Sequence, residues 1–345
     1  MTVSLLPAAP AKKPLYQSAS RDETFNTCSQ LYAAKYLWRL PDPGNDGAHR
    51  GSVCHDALEL LLKPRHKHLF DAAVQCQTCT EVPALQRLIE RYARKYRVAD
   101  PVNLRLIDQF MMVALMNEFY GPKGTVQAIA EREFSFDVNE PDGRRYRIRG
   151  FVDKTFIVQD AHGLILQIVD YKGSKARFEG EKATFNAQKI IYELAARRLH
   201  PDISRRRFRF LFLRFPKSPW QEEPSMTDAQ LYGYEWMLTD MQTAMEAFTL
   251  DNAGDNLAAF DEEKRWLCGV PDAIKKDGTP RWCCSAHKPL DYWVIADEAG
   301  EIVESAFTEE ELVGKVDAAK GQSVEARHFP GCKAFWRDGR RMNFQ

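Results

Sequence analysis

The sequence predicts an α/β fold in which a helical first third leads into a run of strands. Three observations carry that prediction. Residues 81–99 and 102–120 repeat their apolar positions at helical spacing, and Gly121-Pro122-Lys123-Gly124 then breaks the pattern. Residues 125–138, 146–158 and 164–172 alternate or run apolar as strands do, and Asp-Gly and Asp-Ala-His-Gly turns separate them, which reads as an antiparallel meander. An amphipathic helix from about residue 183 to 199, stopped by His200-Pro201, is followed by a strongly apolar strand at 208–215.

Around that centre the chain divides as follows. Residues 1–17 read as a flexible arm rich in Pro and Ala. Residues 18–125 form an N-terminal helical region, with one helix over 18–38 and another opened by Ser52. Residues 126–250 hold the strands and a last amphipathic helix at 227–250. Residues 251–345 read as irregular, hold half of the cysteines, and are expected to pack with the N-terminus.

Composition excludes several classes. The 345 residues carry 48 Lys+Arg and 48 Asp+Glu, so the formal net charge is zero and any polyanion contact is a local patch. The N-terminus is too short and too interrupted by Pro for a secretory signal, and no stretch reaches the roughly 18 apolar residues of a membrane span. A cytoplasmic protein without membrane partners is expected. In a reducing compartment the eight cysteines do not read as a disulfide framework. Cys76 and Cys79 have metal-like spacing but no second pair. GxxxxGK[ST] is absent, so the chain has no P-loop ATPase of its own.

The chemistry concentrates on two neighbouring strands. Asp153 lies mid-strand in GFVDK, and Asp170 and Lys172 lie at the end of IVDYK. Residues two apart on a strand share a face, so Asp170 and Lys172 project together while Tyr171 projects away. If the strands pair across the Asp-Ala-His-Gly turn, Asp153 lies beside Asp170. Two converging carboxylates suit a hard divalent cation, which would polarise a phosphodiester, with Lys172 orienting water or stabilising developing charge. Gln188 and Tyr192, four apart, share one face of the following helix. A lone D-x-K is common; its place at the end of an apolar strand, after a Gly-x-x-Asp strand, is what gives it weight.

The ordered pieces RGSVCHDALE, GFVDK, IVDYKGSK and QKIIY, over residues 50–192, resemble the RecB-like branch of the PD-(D/E)XK nucleases, which includes the CRISPR-associated iron–sulfur exonucleases. The resemblance implies a restriction-endonuclease-like core, a central mixed sheet flanked by helices. It implies a Mg²⁺- or Mn²⁺-dependent DNA exonuclease, prokaryotic or phage-encoded, acting in DNA processing, recombination or repair. Asp153, Asp170 and the Tyr171 carbonyl would hold the metal with His55 as a further ligand, and Lys172 would be the catalytic lysine. Gln188 and Tyr192 would contact DNA or brace the site. The family often places a Glu on the preceding strand; Glu133 is carried as that residue, with Glu131 left open.

Iron–sulfur members use one N-terminal cysteine and three near the C-terminus, which here selects Cys28, Cys268, Cys284 and Cys332 for a [4Fe–4S] cluster. The spacing departs from the family's compact C-terminal group, and Cys283 adjoins Cys284. Zinc, with His287 included, is the alternative. The implied partners are single-stranded DNA or duplex ends and a helicase or recombination protein. Lys175 and Arg177 would follow the backbone, and Phe178 and Phe185 would stack bases or pack in the core. The run Arg205-Arg206-Arg207 with Arg209 reads equally as a charged strand edge. The competing function is a catalytically silent family member that binds DNA or protein. The oligomeric state stays open.

Overall fold

The computed structural model describes residues 16–139, 145–180, 183, 185–249, 268–269, 273–276, 278, 281, 283–337 and 340–341. Most of the expected N-terminal arm and residues 250–267 lie outside them. The chain forms two compact units. The first, the sheet unit, comprises residues 16–19 and 44–239. The second, the terminal unit, gathers residues 20–43 with 240–345. The helices expected within 44–125 therefore belong with the strands, and the boundary near residue 250 falls at 240.

The sheet unit begins with β1 (Tyr16–Gln17) and continues through α3 (Asp46–Leu62), α4 (Lys67–Cys76), α5 (Pro83–Lys95) and α6 (Pro101–Leu115). The helix starts follow from the sequence. The Asn45 side chain accepts from Ala48 N at 3.0 Å, and Asp100 accepts from Val102 N and Asn103 N ahead of Pro101. The meander is present as β2 (Thr125–Asn139), β3 (Arg145–Asp160) and β4 (Gly163–Lys172). It turns at Asp160↔Gly163, where Gly163 takes φ 111°. Next come helix α7 (Ala187–Leu199), β5 (Arg205–Phe212), β6 (Trp220–Glu223) and α8 (Asp228–Ala247). Asn186 caps α7 by accepting from Lys189 N at 3.1 Å.

β4 and β5 are parallel, whereas β3–β4 and β5–β6 are antiparallel, so the sheet is mixed, in the order β1-β3-β4-β5-β6 with β2 also on β3. Helices cover both faces. On one, Phe156, Val169, Tyr171 and Leu211 pack with α3, α5 and α6; on the other, Leu166, Ile168, Phe208 and Phe210 pack with α7. Among the described residues no helix is long and apolar enough to cross a membrane.

In the terminal unit the expected helix over 18–38 is interrupted. Helix α1 (Ala19–Thr27) ends before Cys28, whose backbone is extended (φ −163°, ψ 117°), and α2 (Ser29–Tyr32) runs on into a π-helical turn, Ala33–Leu37. The C-terminal region, read as irregular, holds a three-stranded antiparallel sheet of β7 (Leu290–Ala296), β8 (Ile302–Ala306) and β9 (Ser323–Phe329), with β7 in the middle. These strands are short and two of them mostly polar, so their period-2 signal is weak. The Tyr292 hydroxyl donates to Trp38 O at 2.6 Å, and Trp38 meets Phe329 edge-on at 5.6 Å. Residues 31–40 and the β7–β9 sheet thus share one core.

Candidate active site

The β3–β4 ladder runs from Asp160↔Gly163 to Lys154↔Val169. One step further in the same register, Asp153 meets Asp170. There the ladder opens: Tyr171 N donates to the Asp153 carboxylate (Oδ2, 2.7 Å) instead of to a β3 carbonyl. A change of phase in β3 coincides with this point. Ile148 and Val152 pack in the α7 layer, while the equally even-numbered Phe156 and Val158 pack in the opposite layer, so strict alternation breaks at Asp153–Lys154. That break lets the Asp153 carboxylate serve two elements at once. Its Oδ2 holds β4, and its Oδ1 lies 3.1 Å from His55 Nδ1 on α3.

Asp170 is buried (1% exposed) on the α7 side of β4, 2.5 Å from Lys172 Nζ. Gln188, at the first turn of α7, ties the pair together. Its Oε1 accepts from Lys172 Nζ at 2.5 Å, and its Nε2 donates to Asp170 Oδ1 at 2.7 Å and to the Tyr192 hydroxyl at 2.6 Å. Burial raises the Asp170 carboxyl above the usual carboxylate range; Lys172 opposes this and the charge of Asp153 reinforces it. Burial also works against Asp153, but the His55 imidazole, the Tyr171 N–H and Lys172 bring it below that range. A buried carboxylate, Asp170, and a mostly buried one, Asp153, are therefore set side by side, and a divalent cation would offset their charge with oxygen ligands. The residues fit such a cation chemically. Among the described residues, no group of three or more His, Cys, Asp or Glu is already drawn around one metal position.

The structure brings together His55, Asp153, Asp170, Lys172 and Gln188, but not every expected residue. Glu133 pairs with Phe151 in the β2–β3 register and forms a surface ion pair with Arg149 (2.6 Å), away from Asp153. The pairs Ala130↔Lys154 and Arg132↔Val152 instead bracket Glu131 opposite Asp153 in backbone register; its side chain lies outside the described residues. Tyr192 is 5% exposed in the α7 core and accepts from Gln188, which in turn bonds Asp170 and Lys172. Arg177 is committed to the β5–β6 turn, donating to Trp220 O and Ser218 Oγ. Lys175 is exposed. The arginine edge is neutralised locally: Arg205 with Asp160, Arg206 with Asp228, Arg207 with Glu222 and Arg209 with Glu118. Sequence reasoning passed over Lys154, whose ammonium donates to Phe119 O at 2.9 Å and which burial pushes down to about 7.

In the terminal unit, Cys28, Cys268, Cys284 and Cys332 line one cavity together with His287 and Phe335. The break between α1 and α2 places Cys28 there. Cys284 N bonds Cys268 O at 2.9 Å, which brings those two together, while Cys283 turns its thiol to the Cys268 carbonyl (3.3 Å). Burial pushes the Cys284 thiol up to about 11 and Cys332 to about 12, and neighbouring cysteines, Cys28 among them, push both further. Such thiols are expensive to ionise without a positive centre, and a soft metal centre would supply one.

A family model for the PD-(D/E)XK nuclease superfamily matches residues 16–333. The chain belongs to the PD-(D/E)XK nuclease superfamily. This PD-(D/E)XK nuclease is accordingly a hydrolase acting on nucleic acid, in a family that typically uses divalent metals such as Mg²⁺, and its mixed, helix-flanked sheet is consistent with the restriction-endonuclease-like fold. A solved structure from Eubacterium rectale, described as a "putative exonuclease", is similar at 12% identity and a TM-score of 0.38, covering 75% of this chain and 91% of that one. No curated protein matches the sequence.

Proposed function

We propose that the protein is a divalent-metal-dependent DNA exonuclease of the RecB-like branch, working in DNA processing, recombination or repair. The observation that carries the catalytic reading is the convergence of Asp153, Asp170, Lys172 and His55, with Gln188 bridging Asp170 to Lys172. The preference for DNA and for ends rests on the order of the motifs that resemble that branch.

Asp153, Asp170 and the Tyr171 carbonyl would hold Mg²⁺ or Mn²⁺, with His55 beside them. The bound cation supplies polarisation of the phosphodiester and a more acidic water. The chain's own residues do the rest. Gln188 fixes the Asp170 rotamer, and Tyr171 N fixes that of Asp153, so the two carboxylates are positioned before substrate arrives. Lys172 places a positive charge where the phosphate gains negative charge or the attacking water must be oriented. A partner helicase would supply unwinding.

The cavity of Cys28, Cys268, Cys284 and Cys332 supports a second element of this proposal, a [4Fe–4S] cluster that staples the chain ends within the terminal unit. Anaerobically purified protein is expected to be brown with absorbance near ~400 nm, a broad thiolate-to-iron band of such clusters. Colourless protein with stoichiometric zinc would replace the cluster by a zinc centre.

The deciding experiment for catalysis is cleavage of 5′- and 3′-labelled single- and double-stranded DNA, and of RNA, in Mg²⁺ or Mn²⁺. Wild type is expected to shorten DNA from an end and Lys172→Ala to be inert. Equal inertness of the two in every metal and substrate would leave the silent, binding-only reading, and cleavage confined to RNA would overturn the substrate assignment.

A further inference from the structure

Beside the carboxylates, at the start of α3, the sheet unit holds a cavity of about 470 Å³ lined by Arg50, Gly51, Gly173, Ser174, Lys175 and Arg214 among others. It lies within the size range of small-ligand sites, about 300–1,000 Å³. Its lining is cationic. Arg50 is 8% exposed; its Nη1 donates to Asn103 Oδ1, but its buried Nε has no partner among the described residues. The carboxylate nearest to it, Asp46, is 4.0 Å from Nη1 and mostly solvent-exposed. Arg214 sits over Phe110 (5.0 Å) and spends its Nε on Gly173 O (2.8 Å), and neither its Nη groups nor the Lys175 ammonium has a partner among the described residues. Burial, and then the neighbouring Arg50, lower the Arg214 guanidinium.

Arg50 is buried with only the exposed Asp46 carboxylate at 4.0 Å, Arg214 is half-buried and Lys175 is exposed; positive charges gathered with so little counter-charge favour an anion between them. The first turn of α3, a 17-residue helix, adds its positive end. Gly51 and Gly173 keep the walls low: a Cβ at Gly51 would meet nothing within 4 Å. The cavity is tied through the chain to the proposed catalytic residues. Gly173 follows Lys172 directly, and Arg50 precedes His55 by five helical positions, about 7.5 Å of rise.

We infer that this cavity binds a phosphate group of the nucleic-acid strand being cut, next to the scissile one. The phosphate enters as an oxyanion held by the paired guanidinium groups of Arg50 and Arg214 and by Lys175, and it sets how far the strand is drawn past Asp170 and Lys172. The inference rests on the nuclease reading for its substrate. Its site, a phosphate cradle distinct from the carboxylates, can be tested without cleavage.

The test uses the full chain with Arg214→Gln and Gly51→Glu. The second sends a carboxylate into the cavity from a helical position with open space around it, which favours folding. Cleavage of short single strands carrying a 5′-phosphate, a 3′-phosphate or neither is measured across salt. Each variant is expected to raise KM about 10- to 100-fold, with kcat within about three-fold, and Arg214→Gln to lower the salt slope by about 0.7. If the loss is confined to one phosphorylated end, the cavity takes a terminal monoester; if all ends suffer alike, it takes an internal diester. Either supports the inference. Wild-type KM and salt slope in both variants would overturn it, while Lys172→Ala remained inert and the nuclease reading stood. In parallel, inorganic phosphate is expected to raise the melting temperature of wild type but not of Gly51→Glu. That result with a wild type inert on every nucleic acid would keep the phosphate site and discard the nuclease reading. Equal stabilisation of both proteins would count against the site.

Discussion

The carboxylate site of the sheet unit and the cysteine cavity of the terminal unit are built in opposite ways. Asp153 and Asp170 are brought together by a hydrogen-bonded β-ladder and a short turn, so a register decides their meeting. Cys28, Cys268, Cys284 and Cys332 are brought together by a broken helix and by loops in which a single antiparallel bridge, Gly269↔Cys283, sets Cys268 beside Cys284, so among the described residues no continuous ladder links the four. In the first site the charges are matched by His55, Lys172 and backbone N–H; in the second the polar atoms are four thiols, of which Cys284 and Cys332 are pushed up by burial and by neighbouring thiols. A site made by a ladder stands without its metal. One made by loops would depend on its metal for order.

The sharpest way to break this comparison is at the proposed catalytic pair, Asp170 and Lys172. Asp170→Asn and Lys172→Ala are each expected to lower kcat by about 10³-fold or more. Because Gln188 couples them, the double variant should be no slower than the worse single one, as for residues that act as a unit. Additive losses in single-turnover rates would mean that the two act independently. Thermal stability should change little in either variant relative to the loss of rate.

The second site reverses that pattern. Under the cluster proposal, Cys284→Ser is expected to remove the metal centre and to cost roughly 4 kcal/mol or more of the terminal unit's stability, because metal binding at such a site is coupled to folding. Cys283→Ser should keep both, since its thiol faces the Cys268 carbonyl instead of the cavity. Iron analysis and a thermal melt distinguish the two. Retained iron in Cys284→Ser together with lost iron in Cys283→Ser would exchange their roles.

These contrasts explain what the sequence could convey. The meander and the adjacency of Asp153 to Asp170 rest on period-2 patterns and short turns, which survive in a linear reading, whereas the parallel pairing of β5 with β4 was not read from the sequence. The choice between Glu131 and Glu133 does not survive, because it depends on the β2–β3 register, and that register is set by the whole ladder. The positions of Gln188 and Tyr192 on one helical face were legible; that Gln188 bonds Asp170 while Tyr192 packs in the core was not. The pairing of Arg205, Arg206, Arg207 and Arg209 with acids drawn from four other segments was likewise invisible. Arg50 and Arg214 are far apart in sequence, so the cationic cavity has no linear signature at all.

A smaller effect separates the units by pH. Asp22, in the terminal unit, is buried with neither oxygen hydrogen-bonded among the described residues, and burial raises it to about 7 against the opposing charge of Arg21. Its folded pKa exceeds its unfolded one, so the folded state binds the proton more tightly. Its contribution is fully present below about pH 4 and is lost as pH rises to 7. Asp22→Asn is expected to remove that loss and to stabilise the protein at pH 8 by on the order of 3 kcal/mol. Chemical denaturation of both proteins at pH 5 and pH 8 checks the sign: the gain should shrink at the lower pH. A gain independent of pH would place the benefit elsewhere.

Gln188→Ala is expected to slow kcat about 10-fold with KM within two-fold, and to shift the acid limb of the pH–rate profile, because it frees the Asp170 and Lys172 rotamers without touching substrate. A higher KM with unchanged kcat would instead put Gln188 on the strand.

The smallest expected effect is the most discriminating for β2. Glu133 is half exposed and bound to Arg149, a surface pair of the kind that contributes at most about 1 kcal/mol. Glu133→Gln should therefore leave kcat within two-fold and stability within about 0.5 kcal/mol. Glu131→Gln, at the position that the register sets opposite Asp153, should slow the reaction measurably. The two residues are neighbours of the same type, separated by one arginine, so local composition and strand propensity cancel in the comparison. What remains is the register. If Glu133→Gln were the slower variant, β2 would have to shift by two residues along β3 in the working enzyme. The pairs Phe134↔Gly150 and Phe136↔Ile148 oppose that shift: the Phe134 ring occupies the space that a Cβ at Gly150 would fill, 2.5 Å from it, and at no other partner of β2 along that stretch is the side chain missing.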